Sequence, residues 1–352
     1  MTIIFDVLHL YYLPQYLPVI SACRLKGISC QLVFYTQNDP NLQSVCEKVI
    51  DDEQLDAIWC QDWTEALSVY LKQQADWIVF GNAVEDLDKI HEVSKTVLMQ
   101  HGIGPKSCYY EVSEQPTTVR FVEGEHRLKR LQSMYPQGCF VDTGYAKLDA
   151  AFDKSDQSLS IETLGLDPSK KTILYAPTFY PSSIERFDKD FAERFSDYNI
   201  IIKPHFFSLT KKKYANQRRL MTYFSTYDNV YLCAVDDYNL MPFMAISDVM
   251  LSDASSAIFE FAALNKPVVW CDFYKLRWSY RGIFSFRFKN RIDSDIEYFN
   301  KVAYRATSYN ELSSQVNAAL NLGNKKTDLI EELAGAVDGH CSTRIVDYLL
   351  DN

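Results

Sequence analysis

The chain has 352 residues, 47% of them hydrophobic and 14% aromatic, with a formal net charge of -10 and a sequence pI near 5.2. That length allows two domains, each burying its own core, and the composition excludes a disordered chain. The acidic balance argues against a general nucleic-acid binder, because such binding rests on neutralising backbone phosphates. No apolar run approaches the roughly 18 residues of a spanning helix, so membrane contact is expected to be peripheral at most.

Strand-like and helix-like segments alternate along the chain, the pattern of a parallel α/β architecture. "TIIFDVL" predicts a first strand, "LPVISACRLKG" a helix closed by Gly27, and "SCQLVFY" the next strand; "DWIVFGN" and "KTVLMQHG" continue the series. Residues 146–171 are polar and poorly periodic. They suggest a first domain over 1–150, a linker over 151–171 and a second domain over 172–335, with 336–352 as a closing helix. The second series runs "TILYAPTFY", "YNIIIKPHFF", "NVYLCAV", "SDVMLSDASS" and "KPVVWCD". Two Rossmann-like halves with a site in the cleft between them are the expected fold. Nine cysteines without C-x-x-C spacing, and no secretory pattern in "MTIIFDVLHL", predict reduced thiols in the cytoplasm rather than disulfides or a zinc site.

Four strand ends carry polar clusters: residues 101–107, Pro177 with Thr178, Lys203 to His205, and Asp253 to Ser256. The carboxyl edge of a parallel sheet is where α/β proteins bind ligands. "VLMQHGIGPKS" places His101 and Gly102 after a strand, with Lys106 beyond the turn; Pro105 between Gly104 and Lys106 rules out a Walker P-loop. "SDVMLSDASSAIFEFAALNKP" reads as strand, turn and amphipathic helix, so Ser255 and Ser256 lie where free amides favour an anion. The alternative is that Asp253 or Ser255 only caps that helix. Glu260, about one turn deeper, suits ribose hydroxyls or is a solvated helix residue. Lys203 and His205 around Pro204 suit a phosphate. His9 closes the first strand and is a second candidate for the site, whereas His91, His126 and His340 have no supporting cluster. Residues 211–224 and 274–291 mix Lys and Arg with aromatics, a combination suited to an anionic polymer or membrane surface, or to a solvated helix face. Arg281 in the second of these is expected to return to the site. No carboxylate cluster has metal-ligand spacing, so no metal and no cofactor is expected.

In order along the chain, "HGIGPK", "ILYAPTFY", "IIKPH", "SDVMLSDASSAIFEFAALNKPVVW" and "DGHCSTRIVDYL" resemble motifs of the CDP-glycerol glycerophosphotransferase family, teichoic-acid primases and polymerases of GT-B fold. The resemblance covers roughly residues 95–350, and Ile103, Gly104, Ala254 and Phe206 depart from it. It implies that His101 and His205 are catalytic, that Ser255 and Ser256 bind the pyrophosphate, and that Glu260 serves the ribose. The implied reaction is transfer of glycerol phosphate, or a related polyol phosphate, from a CDP-activated donor to a glycan or lipid-linked acceptor at the inner face of the membrane. The alternatives are a GT-B glycosyltransferase using a nucleotide sugar in capsule or lipopolysaccharide synthesis, and a non-catalytic glycan-binding scaffold.

Overall fold

The computed structural model describes residues 1–104, 106–153, 159–276, 293–325 and 328–352. Two compact units divide the chain. Met1–Gly102, Tyr109–Phe152 and Glu331–Asn352 form the first, and Ile103–Cys108 with Asp153–Ile330 the second.

The sheet of the first unit is built from β1 (Thr2–Val7), β2 (Ser29–Tyr35), β3 (Ala57–Cys60), β4 (Trp77–Phe80), β5 (Lys95–Met99), β6 (Val119–Val122) and β7 (Phe140–Asp142). All pairs are parallel, in the order β3-β2-β1-β4-β5-β6-β7. Strands buried on both faces need apolar side chains throughout, which is why "WIVF" in β4 is buried at every position. From β1 the chain steps outward to β2 and β3, then returns to β4 on the other side of β1. The carboxyl ends of β1 and β4 therefore flank a topological switch point, the usual place for a ligand crevice.

In the second unit, β8 (Thr172–Ala176), β9 (Asn199–Ile202), β10 (Val230–Leu232), β11 (Val249–Ser252), β12 (Val268–Cys271) and β13 (Tyr304–Ala306) pair in parallel in the order β10-β9-β8-β11-β12-β13. The same logic puts a switch point between β8 and β11. One layer of its core gathers Ile173, Tyr175, Phe191, Ile200, Phe224 and Leu251, each essentially inaccessible to water.

The units interleave along the chain at two places where composition gives no hint of it. The closing helix Cys341–Asp351 joins the first unit because Asp149 accepts hydrogen bonds at its amino end from the Cys341 N–H (3.2 Å) and from the Ser342 N–H and hydroxyl (2.7 and 2.6 Å). Ile103–Cys108 joins the second unit, where Gly104 lies against the backbone of Ser256.

Candidate active site

At the second switch point three neighbouring strand ends, those of β9, β8 and β11, bring most of the expected residues into one unit. Asp253 follows β11 and is fully buried. One of its carboxylate oxygens accepts from the Thr178 N–H (3.0 Å) and the Ser182 hydroxyl (2.9 Å), the other from the Ser183 N–H (3.1 Å) and hydroxyl. Burial outweighs these hydrogen bonds and pushes its pKa up to about 7. Asp253 therefore organises the 177–183 loop rather than presenting a carboxylate to solvent, and Thr178 belongs to that loop through its backbone. Pro177 contributes its carbonyl, which accepts from the His205 N–H at 3.2 Å.

His205 opens the short helix Phe206–Thr210, and its Nδ1 accepts from the Phe207 N–H at 3.1 Å. An Nδ1 that accepts carries the lone pair, so in the neutral ring the proton resides on Nε2. His205 is thereby presented as a hydrogen-bond donor, with its ring held against Phe179 at 4.6 Å between centroids. Lys203, just before it, neighbours Asp237, whose carboxyl is raised by burial and lowered by the Lys203 charge. Asp237 was not legible in the sequence, because one acidic residue in the loop after β10 carries no local mark.

Ser255 and Ser256 precede the helix Ala257–Ala263. Ser256 holds the capping position without a side-chain bond, and the Ser255 hydroxyl accepts from the Ala257 N–H at 3.3 Å, which leaves its O–H hydrogen to donate. A Cβ added to Gly104 would meet the Ser256 N at 3.0 Å and its Cα at 3.2 Å. A side chain at position 104 would therefore be tight against the Ser256 backbone. The Lys106 N–H is bonded to the Gly104 carbonyl at 3.0 Å. Glu260 is 2% exposed, which removes the solvated-helix reading for its carboxylate. Arg281 lies outside the described residues, as does most of the 274–291 segment.

His101 and Gly102 belong to the first unit. His101 sits past β5, and its Nδ1 lies 3.0 Å from the carbonyl oxygen of Gly81 at the end of β4. The Gln100 amide nitrogen lies 3.2 Å from the same Nδ1. A carbonyl only accepts, and turning the Gln100 amide, whose buried Oε1 has no hydrogen-bond partner among the described residues, lets one proton on Nδ1 serve both contacts. The lone pair is then on Nε2, the form a general base requires. Gly102 is buried behind it. Aromatic rings that carry no mark in the sequence surround the imidazole: Tyr12 stacked at 4.9 Å, Tyr11 edge-on at 5.2 Å and Tyr109 edge-on at 5.5 Å. His9 stacks on Tyr11 at 5.0 Å, at the same strand end. Burial pushes the phenols of Tyr11 and Tyr12 up, so both stay neutral at ordinary pH. Beneath them Asp6 is buried and accepts from the Tyr35 and Tyr70 hydroxyls at 2.7 and 2.6 Å. His91 and His340 are exposed and His126 is half-buried. Among the described residues no group of three or more His, Cys, Asp or Glu is arranged to hold a metal ion, and no helix is long and apolar enough to cross a membrane.

The family described as CDP-Glycerol:Poly(glycerophosphate) glycerophosphotransferase matches residues 71–350. The teichoic acid glycerol-phosphate primase of Bacillus spizizenii is 30% identical over 138 residues, covering 37% of this chain and 33% of the primase. The teichoic acid poly(ribitol-phosphate) polymerase of the same organism is 27% identical over 162 residues, covering 40% of this chain and 25% of the polymerase. These alignments span about a third or less of the relatives' own lengths. Among solved structures, the wall teichoic acid polymerase TagF aligns with a TM-score of 0.67 at 16% identity over 99% of this chain and 88% of that one, a likeness of fold. The two parallel α/β units are thus of the GT-B type. With the family match covering residues 71–350 and both histidine motifs within it, the chain belongs to the CDP-glycerol:poly(glycerophosphate) glycerophosphotransferase family.

Proposed function

We propose that this chain transfers glycerol phosphate, or a related polyol phosphate, from a CDP-activated donor to a hydroxyl of a glycan or lipid-linked acceptor and releases CMP. The acceptor oxygen forms a bond to the β-phosphorus as the bond from that phosphorus to the bridging oxygen breaks. CMP departs with the electron pair, and the hydroxyl proton passes to Nε2 of His101. His205, with its proton on Nε2, donates to the phosphate oxygens as charge moves onto CMP. Ser255 and Ser256 add hydroxyl donors and Lys203 a cation for the pyrophosphate, Lys106 serves the same anion, and Glu260 serves the ribose.

The observation that carries this reading is the opposite surroundings of Nδ1 in the two histidines, a carbonyl oxygen at His101 and a backbone N–H at His205. The Gly81 carbonyl suits a proton on Nδ1 of His101 and so a base at Nε2, and the Phe207 N–H suits a donor at Nε2 of His205. A primase of glycerol phosphate and a polymerase of ribitol phosphate among the relatives support a polyol phosphate as the transferred group, and not one particular polyol. Exposed Lys211, Lys212 and Lys213 suit peripheral contact with an anionic membrane or polymer.

Thermal shift with CDP, CMP, UDP, GDP and ADP tests the donor. A ligand at about 100 times its Kd stabilises the fold by about 2.7 kcal/mol, so CDP should raise the melting temperature most. Stabilisation by UDP and not by CDP would support the nucleotide-sugar reading instead.

A further inference from the structure

Two residues far from His101 in sequence contact its ring. Tyr12 ends the short turn Leu10–Tyr12 after β1, Gly81 follows β4, and His101 follows β5. The three strands are adjacent, β1 pairing with β4 and β4 with β5. Their carboxyl ends therefore place these residues side by side. The Tyr12 ring lies on the Gly81 backbone so closely that a Cβ there would sit 2.5 Å from Cδ2 and 2.8 Å from Cε2 of that ring. On the other side the ring stacks on the His101 imidazole, with centroids 4.9 Å apart and planes 23° from parallel. Tyr12 is 1% exposed. Its position is thus fixed by packing, and Nδ1 of His101 lies 3.0 Å from the Gly81 carbonyl and 3.2 Å from the side-chain amide of Gln100.

We propose that Gly81 and Tyr12 are positioning residues for His101: the tyrosine ring, wedged between the glycine backbone and the imidazole, holds the plane in which Nδ1 bonds the Gly81 carbonyl and Nε2 keeps the lone pair. This inference rests on the reading of His101 as the base. A side chain at position 81 would push the Tyr12 ring away, move the carbonyl, and release the imidazole to either tautomer. Tyr12 also lies outside the family-matched residues 71–350, so the device joins a family motif to a part of the chain that the motif does not include.

Long-range nitrogen-15 NMR of the histidine-labelled full chain, with His101→Gln to assign the resonance, reads the tautomer without any substrate. In the wild type His101 should carry its proton on Nδ1. Tyr12→Phe, which keeps the ring, should leave that tautomer in place. Gly81→Ala and Tyr12→Leu should give a mixture of tautomers, turnover reduced by about tenfold or more, and a displaced pH–rate profile. A wild-type proton on Nε2 overturns the inference whether or not the variants fold. Loss of the tautomer in Tyr12→Phe overturns it too, because the hydroxyl and not the ring would then be responsible. Folded Gly81→Ala or Tyr12→Leu with wild-type tautomer and pH profile overturns it as well. If the tautomers behave as expected while His101→Gln turns over at the wild-type rate, the base reading falls and the positioning geometry stands.

Discussion

Asp253 and His101 are the residues whose environments make the sharpest claims. Asp253 accepts from two backbone amides and two hydroxyls, so whichever way the amide of Asp253→Asn is turned, its NH₂ faces the N–H of Thr178 or Ser183. One orphaned buried donor costs about 1–3 kcal/mol, and the variant should be less stable by that order in denaturant melts. Because the folded pKa is raised from 3.8 to about 7, the contribution of Asp253 to stability is complete in acid and is lost as the pH rises through that window. The stability gap between wild type and Asp253→Asn should narrow over the same window; a gap independent of pH would contradict the assigned environment. For His101→Gln, single-turnover transfer at saturating donor should fall by about 10²- to 10⁴-fold with nucleotide affinity nearly intact. A histidine that only bonds the turn would instead lower the melting temperature and spare the rate. His101 was legible because a histidine with glycines at a strand end is an uncommon combination. Its neighbours Tyr12 and Gly81, and the Asp6, Tyr35 and Tyr70 group, were not. They are ordinary residues that become partners only when distant strands pair.

At the scale of elements, the turn before the helix Ala257–Ala263 is where capping and the proposed anion binding meet. Changing Ser255 and Ser256 together to alanine should weaken CDP binding in calorimetry, each lost hydrogen bond to a charged phosphate being worth about 1.5–3 kcal/mol. Unchanged affinity with a lower melting temperature would leave the pair with hydrogen bonding at the helix end alone, as the Ser255 hydroxyl already provides for the Ala257 N–H. Lys211, Lys212 and Lys213 are exposed ahead of the helix Ala215–Phe224. Neutralising them should reduce activity on a lipid-linked acceptor and flatten its salt dependence without altering donor binding, since exposed charges act through a screened field. Wild-type activity, salt response and membrane association would leave them as a solvated face. Strands with a continuous apolar run, such as β2 and β9, were legible from pattern. The short strands β3, β6, β7 and β13 were not. In β6 the obstacle is Arg120, a guanidinium 2% exposed that bonds the Ser113 hydroxyl at 2.6 Å and the Tyr109 carbonyl at 2.8 Å. A charge in a strand reads as exposed unless its buried partners are known.

At the scale of the molecule, two parallel sheets were legible because α/β alternation repeats on both sides of a polar stretch. The threading of Ile103–Cys108 into the second unit and of Glu331–Asn352 into the first was not, because each depends on contacts distant in sequence, through Gly104 and Asp149. The first of these crossings divides "HGIGPK", leaving His101 in the first unit and Gly104 and Lys106 in the second. Whether a family transferase with this pair of histidines moves a polyol phosphate is decided by identifying both products of one reaction. The chain is mixed with CDP-glycerol and a lipid-linked acceptor, and CMP is followed by chromatography and the new linkage by phosphorus-31 NMR. CMP should be released in equal amount with a new phosphodiester, and both should be lost in His101→Gln. Intact CDP-glycerol, with a nucleotide sugar consumed and a glycosidic bond formed in its place, would refute polyol-phosphate transfer.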